Sequence, residues 1–134
     1  MPTEQEDVDK NLAGLIANQL ASKYQRPTMV LRRIEHDGQE TTYEGSLRNY
    51  GKSRLENFRQ FCNDTGLVEY AEGHASAAGV GIAESHLQPF INKTNDLLKD
   101  FDTTPCYYVD LEVSAQSLTD NEVFSIASNS DIWG

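Results

Sequence analysis

Gly73 and His74 open the run Glu72-Gly73-His74-Ala75-Ser76-Ala77-Ala78-Gly79, whose residue types suit the capture of an anion. A glycine lets backbone approach a ligand closely. The small residues that follow are expected to wind into a short helix, whose free N–H groups would attract negative charge. His74 would add a donor or a cation. A second pair stands in Glu44-Gly45-Ser46-Leu47-Arg48. Side chains two apart on a strand point the same way, so Ser46 and Arg48 would present a hydroxyl and a guanidinium together, again suited to phosphate. Each motif has a plainer reading. Gly73 makes a turn that His74 caps, and Ser46 and Arg48 lie on a solvated edge strand.

Charge bounds what such a site can hold. The 134 residues carry a net charge of −10. Residues 23–59 nevertheless hold eight basic residues against five acidic ones, including Arg48, Lys52, Arg54 and Arg59. A local basic segment on an acidic body can seat one phosphate but cannot embrace duplex DNA through a broad electrostatic footprint. Lys52 and Arg54 are candidates for the path of further nucleotides. Tyr43, Tyr50 and Tyr70 have the chemistry for base stacking, although such residues more often serve core or rim. The three histidines, His36, His74 and His86, are scattered, Asp-His-His does not occur, and Asp7-Val8-Asp9 and Asp100-Phe101-Asp102 have no histidine beside them. No metal site and no catalytic residue is therefore expected in this chain. Cys62 and Cys106 stand apart from each other and are expected to be buried, reduced thiols. The acidic N-terminus is unlike a secretory signal, and no apolar run approaches the roughly 20 residues of a membrane span, so a cytoplasmic protein is expected.

These residues need elements to position them. Val8, Leu12, Leu15, Ile16, Leu20 and Tyr24 recur at helical spacing, predicting an amphipathic helix over 8–24. Residues 28–34 read as a strand, Asp37-Gly38 as a hairpin turn, and residues 40–47 as the return strand. Three Ser/Thr-x-x-Glu/Gln boxes, Ser53 with Glu56, Ser85 with Gln88 and Thr119 with Glu122, are expected to open helices. Residues 106–113 alternate as a strand, with Tyr107, Val109, Leu111 and Val113 on one face. Strands interleaved with helices give an α/β class: a mixed sheet with packed helices in a single domain.

Three stretches occur in order: Asn11–Asn18 continuing to Tyr24–Leu31, then Gly45-Ser46-Leu47-Arg48, then Gly73–Gly79. Together they resemble the accessory, DHH-associated domain of DHH-family phosphoesterases, most closely that of RecJ-type single-stranded-DNA exonucleases of DNA repair and recombination. The resemblance implies a domain that closes over a separate catalytic domain. Gly73, His74, Ser46 and Arg48 would hold the 5′-phosphate end of a single-stranded nucleic acid. It also implies a divalent metal, Mn or Mg, in that missing catalytic domain, and an isolated chain without activity. Residues 1–10 would then be a flexible N-terminal segment, 11–101 the substrate-binding domain, and 102–134 a strand-helix extension toward a further domain. The ending at Asp131-Ile132-Trp133-Gly134 suggests an excised fragment or a truncated reading frame, and a homodimer could form through surface that the catalytic domain would cover. The alternatives are a nano-RNA or nucleotide phosphatase of the same family and a non-catalytic interaction module. In one respect the chain departs from the family. Glu72 stands where another glycine is usual, and a carboxylate beside a phosphate costs electrostatic energy unless it turns away or meets a cation.

Overall fold

Two hairpins lie side by side to make the sheet. In a computed structural model, which describes residues 10–109 and 112–129, β1 (Thr28–Ile34) pairs with β2 (Thr42–Arg48), and β3 (Tyr70–His74) pairs with β4 (Ala77–Ala83). The strand order is β1-β2-β4-β3, and every pairing is antiparallel. Among the described residues four helices accompany the sheet: α1 (Lys10–Tyr24), α2 (Phe58–Asp64), α3 (Glu84–Leu98) and α4 (Asp120–Ser128). The expected α/β class, helices packed on a sheet, is what the chain adopts.

The alternation of side chains splits the sheet into an apolar and a polar face. Leu47, Ala78, Val80 and Ile82 point to one side, where Phe58 and Cys62 of α2 and Phe90 of α3 close over them. The other side carries Thr42, Glu44, Ser46 and Arg48 of β2, and α1 lies across its β1–β2 half. The apolar spacing of α1 led us to expect Leu12 and Leu15 inward. Instead Ala13, Ala17 and Ala21 are buried, while Leu12 and Leu15 remain 48% and 55% exposed. A polar strand face offers no pocket for leucines, whereas an alanine stripe lets the helix backbone sit close to it. Val8 lies outside the described residues.

The helix starts correct two of the three expected capping boxes. Ser53 accepts instead from the N–H of Leu55, closing a local turn, and α2 begins later, where the Asn57 side chain accepts from the Gln60 N–H at 2.9 Å. Strand β4 runs directly into α3, leaving Ala83 as a cap without a side-chain bond. Its helix start is served from a distance, since Glu40 in the β1–β2 connection accepts from the Ser85 N–H at 2.7 Å. The Ser85 side chain, and next this N–H, hold the Glu40 carboxyl below its ordinary range. The third box, Thr119 with Glu122, has both of its hydrogen bonds. The expected return strand starts two residues late, at Thr42.

The C-terminal part differs from expectation. Residues 106–109 and 112–113 are not strand, and Tyr107 is fully exposed; Asp110 and Leu111 lie outside the described residues. Alternation alone does not make a strand: the described residues of the segment pair with neither outer strand of the sheet, β1 or β3. Helix α4 packs against no other described element and leaves Val123, Phe124 and Ile126 exposed. Residues 131–134 lie outside the described residues. No helix among the described residues is long and apolar enough to cross a membrane.

Of the two cysteines expected to be buried, only Cys62 is; Cys106 is exposed, its backbone bracketed by two hydrogen bonds to the Gln25 side chain. Burial pushes the Cys62 thiol up to about 12. Alkylation of the folded protein at pH 8, read by mass spectrometry, should modify Cys106 and spare Cys62 because only the thiolate reacts. Equal labelling of both would show that the α2 packing is wrong.

Candidate functional site

The pairing register places the residues of interest in rows across the polar face. Arg48 pairs with Ala77, and Ala77 pairs with His74. One step along, Ser46 pairs with Gly79, and Gly79 with Glu72; a further step aligns Glu44, Gly81 and Tyr70. Arg48, Ser46 and His74 thus share a face, although 26 residues separate the arginine from the histidine in sequence. Arg48 and His74 stand two strand spacings apart, roughly 10 Å between Cα atoms. Ala77, with its small side chain, stands between them in the same row. His74 is exposed, and Arg48 and Ser46 are half-buried.

Helix α1 positions the arginine. A Cβ added to Gly14 would stand 2.6 Å from Nη2 of Arg48 and 3.5 Å from Oγ of Ser46. The guanidinium and the hydroxyl therefore gather against a helix that has been thinned at that point. Nη1 of Arg48 donates to the Leu47 carbonyl at 2.8 Å, which orients the group. Gly14 had no role in the sequence reading. A signal was available, because glycine inside a helix is destabilising relative to alanine and asks for a packing reason.

The segment Gly73–Gly79 is a hairpin, not the loop and short helix expected from its small residues. Small side chains let β4 lie between two strands and under the residues of both. Tight two-residue turns favour positive φ. Here neither Ala75 nor Ser76 supplies it; Gly73, just before His74, does, with φ +135. Three hydrogen bonds fasten the tip. The Arg59 N–H donates to the Ala75 carbonyl (3.1 Å), the Asn49 N–H to Ser76 (2.9 Å), and Nη1 of Arg59 to Gly73 (2.8 Å). Arg59 is thus a positioning residue that sequence reasoning counted only as charge. Gly73 shapes the site without presenting a helix N-terminus to it.

Lys52 and Arg54 lie beyond the end of β2 and engage the segment after α3. Lys52 Nζ stands 5.0 Å from the centre of the Tyr108 ring, and Arg54 lies 3.6 Å from the Asp102 carboxylate. Of the three tyrosines, Tyr70 shares the face with Ser46 and His74, whereas Tyr43 points to the opposite side. Burial, and next the nearby Glu44 carboxylate, raise the Tyr70 phenol above its ordinary range. Among the described residues no three His, Cys, Asp or Glu side chains gather as metal ligands. Ser46, Arg48 and His74 are hydrogen-bond donors of the kind that suits an anion.

Comparison with known proteins places the chain in a family. Residues 2–100 match the family described as the DHHA1 domain. A protein of Bacillus subtilis (strain 168) carrying the name SPbeta prophage-derived single-strand DNA-specific exonuclease YorK is 36% identical over 129 residues. Its counterpart in Bacillus phage SPbeta is equally similar. The match covers 95% of this chain but only 22% of either relative. No solved structure matches the chain at a significant level.

Gly73→Ala should destabilise the fold by about 1–3 kcal/mol. The new Cβ would meet the Ala77 carbonyl oxygen at 2.9 Å in a backbone conformation that side chains rarely adopt. Urea unfolding measures this, and an unchanged midpoint would mean that the hairpin is not built as described.

Proposed function

The chain belongs to the DHHA1 domain family, and from that premise we propose that it is the substrate-gripping domain of a single-stranded-DNA exonuclease. It holds the 5′-phosphate end of the strand for a phosphodiesterase domain that lies elsewhere in the same polypeptide. The observation that carries this reading is the row Arg48–Ala77–His74 with Ser46 beside it, two cationic or donor side chains and a hydroxyl on one face of the sheet, half-buried under α1 at β2 and exposed at His74. The names of the two relatives support the choice of substrate.

Each residue then has a task. Arg48 makes charge-assisted hydrogen bonds to the phosphate oxygens, and Ser46 donates a further one. His74 donates from the opposite side, closing the seat. Glu72 occupies the next row, on the same face, and so sets a negative limit to the seat along β3. The phosphate contacts fix register without reading sequence. Such fixing supplies the orientation that a metal-dependent hydrolysis needs. The divalent ion, Mn or Mg, and the attacking water belong to the other domain, which acts from the 5′ end in the cytoplasm. Lys52 and Arg54 tie down the segment that follows α3 and take no part in the seat.

A 5′-phosphorylated single-stranded oligonucleotide should bind this chain more tightly than its unphosphorylated twin. Arg48→Ala should remove that preference by roughly tenfold or more, the scale of a lost hydrogen bond to a charged group. Fluorescence anisotropy reads both. Equal affinity for the two oligonucleotides in the unaltered chain would refute the phosphate seat and leave an interaction module.

A further inference from the structure

Next to the phosphate row the polar face holds a cleft of about 170 Å³, lined by Ala13, Arg32, Glu44, Gly45, Tyr70, Glu72 and Gly79. Its floor is bare backbone, because a Cβ on Gly79 would find nothing closer than 3.9 Å. Over the neighbouring Gly81 lies the Tyr70 ring, so close that a Cβ there would stand 2.3 Å from a ring carbon. The ring is therefore laid against the sheet at one side of the cleft, with α1 at the other. The volume falls below the 300–1,000 Å³ of drug-sized pockets and suits a single small ring system.

Two carboxylates line the cleft, and their situations differ. Glu44 stands opposite Arg32 in register and accepts from the Thr42 hydroxyl at 3.1 Å, so one of its oxygens is already engaged. Glu72 enters no ion pair among the described residues. A free carboxylate repels a second phosphate. It is an acceptor on both oxygens and welcomes a neutral group that presents two donors. The cleft lies one strand step from the seat, roughly 7 Å, comparable with the reach from a 5′ phosphate to its own base.

Resting on the phosphate reading above, we propose that this cleft takes the base of the terminal nucleotide and favours guanine. Guanine alone among the four DNA bases offers two adjacent donors, N1–H and N2–H, on its pairing edge. Cytosine and adenine set one amine beside an acceptor, and thymine has one N–H between two carbonyls. A carboxylate at Glu72 matches guanine with two hydrogen bonds and the others with at most one. The base lies on the Gly79 floor beside the Tyr70 ring. The domain therefore grades the end nucleotide it holds, while the phosphate contacts accept any base.

Calorimetric titration of the whole chain with the four deoxynucleoside 5′-monophosphates and with deoxyribose 5-phosphate tests this. The guanine nucleotide should bind roughly tenfold more tightly than the thymine nucleotide. Glu72→Gln, which replaces one acceptor with a donor, should erase the difference. So should Gly79→Val, which fills the floor at a strand position with room for a side chain. Neither variant should weaken deoxyribose 5-phosphate. Equal affinity for the guanine and thymine nucleotides, or a preference that survives both variants, overturns the base subsite. If Arg48→Ala still abolishes deoxyribose 5-phosphate binding in that case, the phosphate seat stands alone. A guanine preference untouched by Arg48→Ala would keep the subsite and remove the seat, and failure of all five ligands to bind removes both.

Discussion

Strands β2 and β4 meet with Leu47 opposite Ala78 and Arg48 opposite Ala77, and each polar side chain described above depends on that register. A slip of one residue would turn Ser46 and Arg48 inward and place Leu47 in water. Leu47, Val80 and Ile82 are wholly buried, each worth about 1.5–3 kcal/mol of hydrophobic stabilisation, so the slip is strongly disfavoured. The core under α2 and α3 touches no ligand, yet it decides which residues of the opposite face stand in one row.

The polar face is shaped by what it lacks. Ala13, Ala17 and Ala21 bring α1 down onto β1 and β2, and Gly14 opens the space in which the Arg48 guanidinium lies beside Ser46. On the uncovered half, Ala77, Gly79 and Gly81 leave β4 without large side chains, so groups on β2 and β3 can converge across it. Arg59 and Asn49 hold the tip of the second hairpin from the core side, coupling α2 to the position of His74. Charge on this face is local. Arg48 and His74 make one end attractive to an anion, and Glu44 and Glu72 make the next rows unattractive to another. That pattern reconciles the proposed phosphate seat with a net charge of −10.

Much of this was legible in the residues. Two-residue alternation predicted that Ser46 and Arg48 point together, and Asp37-Gly38 predicted the first hairpin, because both signals are local. Thr119 with Glu122 was readable for the same reason. The second hairpin was not, since alanines and glycines in Ala75–Gly81 carry no periodic signal and their strand state comes from being sandwiched between β2 and β3. Ser53 and Ser85 fit a capping pattern but were outcompeted, one by a local turn and the other by a carboxylate 45 residues away. Leucine spacing misdirected the reading of α1, where closeness of approach governs which face is inward. Residues 107–113 alternate, yet those of them that are described pair with neither β1 nor β3.

Whether one anion engages Ser46, Arg48 and His74 together is the central physical claim, and amide chemical-shift mapping tests it most directly. Adding inorganic phosphate to isotopically labelled chain should move the resonances of Ser46, Arg48, His74 and Gly14 along a single saturation curve, with Lys52 and Arg54 still. Shifts confined to Lys52 and Arg54, or separate curves for β2 and for His74, would contradict a shared seat.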